Sequence, residues 1–80
     1  MSFKDLGNAA FKSGNYPQAI EFYSKAINDA PNDHTIISNR AAAYQNSAQY
    51  AAALADAEKC IEIKPDWSKG HQRKAMALEA

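Results

Sequence analysis

Residues Lys4–Pro31 read KDLGNAAFKSGNYPQAIEFYSKAINDAP, and the same grammar returns 34 positions later over Ser38–Pro65. A third start opens at Lys69, about one helix before the last residue. Gly7 aligns with Ala41 and Ala75, Tyr16 with Tyr50, Ala19 with Ala53, Ala26 with Cys60, Ile27 with Ile61 and Pro31 with Pro65. Small residues at fixed places let two helices of a unit cross closely, while larger ones fill the space toward the next unit.

Each unit carries its own start and stop signals. Phe3, Leu6, Gly7 and Ala10 recur at helical spacing, which predicts a first helix over about residues 2–12. Gly14 with Asn15 stops it, because glycine suits the left-handed residue past a helix end. Pro17 opens a second helix, about 17–29, where its missing N–H lacks a partner in any case. Ala19, Ile20, Tyr23, Ala26 and Ile27 form its apolar stripe, and Pro31 closes the unit. Asn32 or Asp33 is placed to cap a third helix over about 34–47. A fourth covers about 50–63, and Pro65 closes again. Asp66 is the next cap, and a fifth helix runs from about residue 67 onward with His71, Ala75 and Leu78 as its core stripe. The expected organisation is one domain, with units at about 1–33, 34–67 and 68–80.

Composition narrows the function. Eighty residues make one small domain with a marginal core. Much of the apolar content is alanine, so that core should be thin and closely packed. A formal net charge of zero argues against nucleic acid and anionic membrane as partners. The single cysteine, Cys60, excludes an internal disulfide and reads as packing, since it takes a small-residue position. No apolar run of about 18 residues marks a membrane span, and the polar start MSFKDLGN is no signal region. A cytoplasmic protein is expected. His34 and His71 have no Cys or carboxylate companions at ligand spacing, so no metal or cofactor is expected, and His71 reads as filling an aromatic slot. No Ser/His/Asp or Cys/His grouping and no phosphate loop is present, so no enzyme is expected. Tyr16, Tyr23, Tyr44 and Tyr50 read as packing, Arg40 as half of a structural ion pair, and Asp56, Glu58 and Glu62 as outer-face charges.

A 34-residue helix-turn-helix period with small residues and a closing proline resembles the tetratricopeptide repeat. The first unit carries Leu6-Gly7, Ala19-x-x-x-Tyr23 and Pro31, with Phe3 in the tryptophan position; the second departs with Arg40 for the leucine and Ala57 for the aromatic. The resemblance implies an all-α, right-handed α-solenoid of antiparallel helix pairs, about two and a half repeats in five helices. Such stacks put the first helix of each pair on a concave surface. There the first helix offers Lys4 and Asn8, four apart, with Phe11; the third offers Asn39 with Ala42, Ala43 and Asn46; the fifth offers Lys69 and Arg73, again four apart, with Met76. Two ammonium groups, a guanidinium and two carboxamides, with no carboxylate among the five, suit a ligand bearing two closely spaced carboxylates.

The runs GNAAFKSGNYPQAIEFYSKAI, SNRAAAY and KPDWSKGHQRKAMALEA resemble the N-terminal repeat domain of the stress-inducible, heat-shock-protein organising co-chaperones. That resemblance spans nearly the whole chain. It implies a carboxylate clamp for the C-terminal Glu-Glu-Val-Asp tail of a 70-kDa or 90-kDa heat-shock chaperone, the former favoured. By it, Lys4, Asn8 and Asn39 hold the terminal main-chain carboxylate, Lys69 holds the Asp side chain, Arg73 reaches upstream, and Phe11, Ala42 and Asn46 line a slot for the valine. Family domains carry a helix after the fifth that would cover Trp67, His71, Ala75 and Leu78. Three expectations follow: a fragment, a self-associating form, or an exchange of helices between copies. The competing reading is a self-associating structural module without clamp activity.

Overall fold

A computed structural model describes residues 1–79. It holds five helices: α1 (Phe3–Lys12), α2 (Tyr16–Asp29), α3 (His34–Asn46), α4 (Tyr50–Ile63) and α5 (Ser68–Glu79). Their short connections make sequence neighbours pack as antiparallel pairs. Each helix packs on the next, α5 also reaches α3, and α3 reaches α1. The three first-of-pair helices therefore share one face, and the all-α solenoid expected from the period is the fold.

Most local signals act as read; the exception is Asp66, since α5 begins at Ser68 and Trp67 stands at the cap position instead. Asp33 caps α3, its carboxylate accepting from Thr35 N–H (3.0 Å) and from the Thr35 hydroxyl. The Thr35 hydroxyl bond is the main reason the Asp33 carboxyl is held below its ordinary value of 3.8. The stabilisation from this cap is full above that value and fades as pH falls through the lower folded pKa. Ser2 and Asn15 cap α1 and α2 by accepting from Asp5 N–H (3.1 Å) and Gln18 N–H (3.4 Å). Gly14 has the expected left-handed backbone, φ +81°. Its counterpart 34 residues on, Ala48, adopts φ 62° without glycine's freedom.

One core cluster joins Ala10, Ala19, Tyr23, Ala26, Ile36 and Ala43, with Phe11, Ile20, Phe22 and Ile27 packed against it. Gly7 is there because a Cβ would stand 2.6 Å from two carbons of the Tyr23 ring. In the second hairpin Ala41 is tolerated at that place, where Ala57 replaces the ring.

Several expectations are corrected. Asp56 is not an outer-face charge: it is buried (6% exposed) and takes a two-pronged grip from Arg40, Nε at 2.8 Å and Nη2 at 2.7 Å. The expected Arg40 ion pair thus forms, and Asp56 is the partner that spacing alone did not pick out. Arg40 also donates to Ser24 Oγ (3.1 Å), tying the hairpins together.

The expected stripe of α5 faces solvent, in keeping with its reading as area for a following helix to cover, and a different face packs on α4. Gly70 and Ala77 are buried, with Trp67, Arg73 and Lys74 half-buried, whereas His71 and Ala75 are exposed and Leu78 is 64% exposed. Gly70 sits so close to α4 that a Cβ would lie 3.3 Å from Ile61 Cγ1, which turns the 67/70/74/77 face inward. Neighbouring residues lie about 100° around the axis, so 71, 75 and 78 turn away. His71 fills no aromatic slot; its Nε2 bonds the Pro65 carbonyl at 2.7 Å. Trp67 is covered on one side by His34, edge-on at 4.5 Å. Tyr50, 39% exposed at the start of α4, is the least packed of the tyrosines. No helix among the described residues is long and apolar enough to cross a membrane.

Candidate functional site

The face shared by α1, α3 and α5 contains a hollow of about 130 Å³, open to solvent. Asn8 and Phe11 line it from α1, Tyr23 from α2, Asn39 and Ala42 from α3, and Arg73 from α5. Three of the five expected donors and two of the three expected slot residues meet there. The apolar side is held by Phe11, whose ring meets Tyr16 edge-on at 5.4 Å.

Lys4 and Lys69 do not line the hollow. Each sits one turn before a residue that does, Asn8 and Arg73, and so flanks it on the same helix face. Lys4, Lys69 and Arg73 form no ion pair among the described residues, which leaves their charge for a visitor. The field of Lys4 still reaches Asp33, as the smallest of the causes lowering that carboxyl. Asn46 lies outside the hollow: exposed at the end of α3, it donates back to the Ala42 carbonyl at 2.9 Å.

The donors are held from behind. Arg73 Nε donates to Ser38 Oγ at 3.4 Å, and Ser38 is 1% exposed. Asn8 Oδ1 accepts from the Tyr23 hydroxyl at 2.6 Å and from Asn39 Nδ2 at 3.4 Å. Burial raises the pKa of the Tyr23 phenol, so it keeps its proton. Tyr23 takes its expected place in the α2 stripe through its ring, while its hydroxyl lies at the hollow, which helical spacing does not show. The available signal was a tyrosine where an interior position asks only for apolar bulk. The hollow thus brings the polar ends of Asn8, Tyr23, Asn39 and Arg73 beside the apolar Phe11 and Ala42.

Antiparallel helix pairs stacked edge to edge, with their first helices sharing one face, define an α-solenoid repeat protein. A family model described as "TPR repeat" matches residues 7–47, and one described as "Tetratricopeptide repeat" matches residues 35–64. The chain belongs to the tetratricopeptide repeat family. It is 48% identical over 75 residues to the heat shock protein sti1 homolog of Schizosaccharomyces pombe, a match covering 94% of this chain and 13% of that protein. Among solved structures it is similar to the second TPR domain of human RPAP3 in complex with the HSP70 peptide SGPTIEEVD (36% identity, TM-score 0.90, 95% of this chain and 63% of that one). It is also similar to the first TPR of Spaghetti (RPAP3) bound to the HSP90 peptide SRMEEVD (30% identity, TM-score 0.93, 96% and 61%). The chain thus spans a small part of the curated relative.

Proposed function

We propose that this chain is a co-chaperone-type peptide-binding module that takes the free C-terminus of a heat-shock chaperone ending Glu-Glu-Val-Asp. The observation that carries the reading is the convergence of Asn8, Asn39 and Arg73, from three different helices, on one hollow flanked by Lys4 and Lys69. Asn8, Asn39 and Lys4 take the terminal carboxylate, Lys69 the Asp side chain, and Arg73 the peptide upstream. Phe11 and Ala42 receive the valine; Asn46 serves at most the rim of that slot. The lone reduced cysteine fits work in the cytosol.

The two peptides seen with similar domains both end in EEVD, so the terminus alone does not separate a 70-kDa from a 90-kDa partner. The likeness to the first domain of the organising proteins favours the 70-kDa chaperone. Hydrogen bonds to charged groups contribute about 1.5–3 kcal/mol each. Several of them, less the ordering of a flexible peptide, give binding near −8 kcal/mol, roughly micromolar.

Calorimetry with the free-acid peptide and its C-terminal amide tests this. The acid should bind, the amide should bind far more weakly, and salt should weaken the acid's binding. Equal binding of both, or of neither, overturns the reading. The self-assembly alternative rests on the exposed Met76 and Leu78; a monomeric mass by light scattering at binding concentrations removes it.

A further inference from the structure

Asn8 is the one donor of the hollow whose useful end is chosen by its neighbours. A carboxamide has an accepting oxygen and a donating N–H2 group, and half a turn about its last bond exchanges them. Here the oxygen is occupied twice, by the Tyr23 hydroxyl at 2.6 Å and by Asn39 Nδ2 at 3.4 Å. With the amide turned over, the N–H2 groups of Asn8 and Asn39 would face each other. The Tyr23 bond is short and the Asn39 bond long, so the tyrosine dominates.

We propose that Tyr23 is a positioning residue for the anion-binding hollow: its hydroxyl locks the Asn8 carboxamide with the oxygen inward, so that Asn8 presents N–H donors to a bound carboxylate. This rests on the reading of the hollow as a carboxylate site. Without the hydroxyl only the long Asn39 bond holds Asn8, and the amide spends time showing its oxygen to the anion, which repels it. The ring and the hydroxyl have separate duties, since the ring packs on Gly7 in the core while the hydroxyl serves the hollow. The raised pKa of the phenol keeps the donor protonated at neutral pH. The second hairpin has Ala57 at the matching place and Ala42 where the first has Asn8, so the tyrosine and the carboxamide occur together or not at all.

Four forms of the full chain test this: wild type, Tyr23→Phe, Asn8→Ala and the double variant. Tyr23→Phe keeps the ring, and its thermal melt should stay cooperative. It should weaken the free-acid peptide about tenfold, the value of one charge-assisted hydrogen bond. In the Asn8→Ala background, Tyr23→Phe should add nothing. A further loss there would mean that the tyrosine touches the peptide itself, and would overturn the proposal. A readout without peptide stands beside it: NMR relaxation of the Asn8 side-chain amide should show a rigid group in wild type and a mobile one in Tyr23→Phe. An amide equally rigid in both also overturns it. If wild type does not prefer the free acid to the amide, the functional reading falls, and the Asn8 relaxation still decides the role of Tyr23.

Discussion

The two complete hairpins share a backbone and differ in what fills it. In α1–α2 the space between helices is apolar: Leu6, Phe22 and the Tyr23 ring, with Gly7 making room. In α3–α4 the same places hold Arg40, Asp56, Ala57 and Ala41, and a half-buried ion pair replaces these apolar side chains. The difference shows that a 34-residue period specifies where bulk must be, not what supplies it. Volume lost at Ala57 goes with a long Arg40 side chain, and the charge this brings inside is matched by Asp56. The first hairpin brings Asn8 and a tyrosine hydroxyl to the hollow; the second brings Asn39 and keeps Arg40 and Asp56 for structure.

The largest effect should come from breaking the ion pair. Asp56→Ala leaves a half-buried guanidinium unpaired and should lower stability by about 3 kcal/mol in urea denaturation. Transplanting the first hairpin's choice, Arg40→Leu with Asp56→Phe, should recover most of that loss. A double variant no better than Asp56→Ala would show that the hairpins are not interchangeable. Next, Gly7→Ala should cost about 2 kcal/mol by overpacking the Tyr23 ring. In a Tyr23→Ala background the same change should cost nothing, as Ala41 already stands opposite Ala57; thermal melts of the four forms read the coupling. The smallest effect concerns the turns. Ala48→Gly should gain about 1 kcal/mol by relieving a left-handed alanine, and Gly14→Ala should lose a similar amount. Equal and opposite shifts in melting temperature would confirm that the two turns do the same task with different residues.

Helix boundaries were readable because their signals are local. Gly14, Pro17, Pro31 and Asp33 act within a turn of where they stand, and α1 to α4 begin and end within about a residue of expectation. Lys4 with Asn8 and Lys69 with Arg73 were readable for a related reason: four-residue spacing places each pair on one helix face whatever surrounds it. The face of α5 that packs was not readable. Gly70 and Ala77 are as suited to a close crossing as Ala75, and Ile61 on α4 settled the choice. Asp56 shares its stretch with Glu58 and Glu62, and only its position opposite Arg40 sets it apart.

The chain's order of residues was enough for the period, the helices, the family and the donors on each first helix, because these depend on contacts a few residues apart. Packing alone decided that Asn8, Asn39 and Arg73 border one hollow while Lys4 and Lys69 flank it, and that Tyr23 sends a hydroxyl to Asn8. Those facts depend on how each helix is rotated against its neighbours, and a 3.6-residue repeat leaves that rotation open until the surfaces meet.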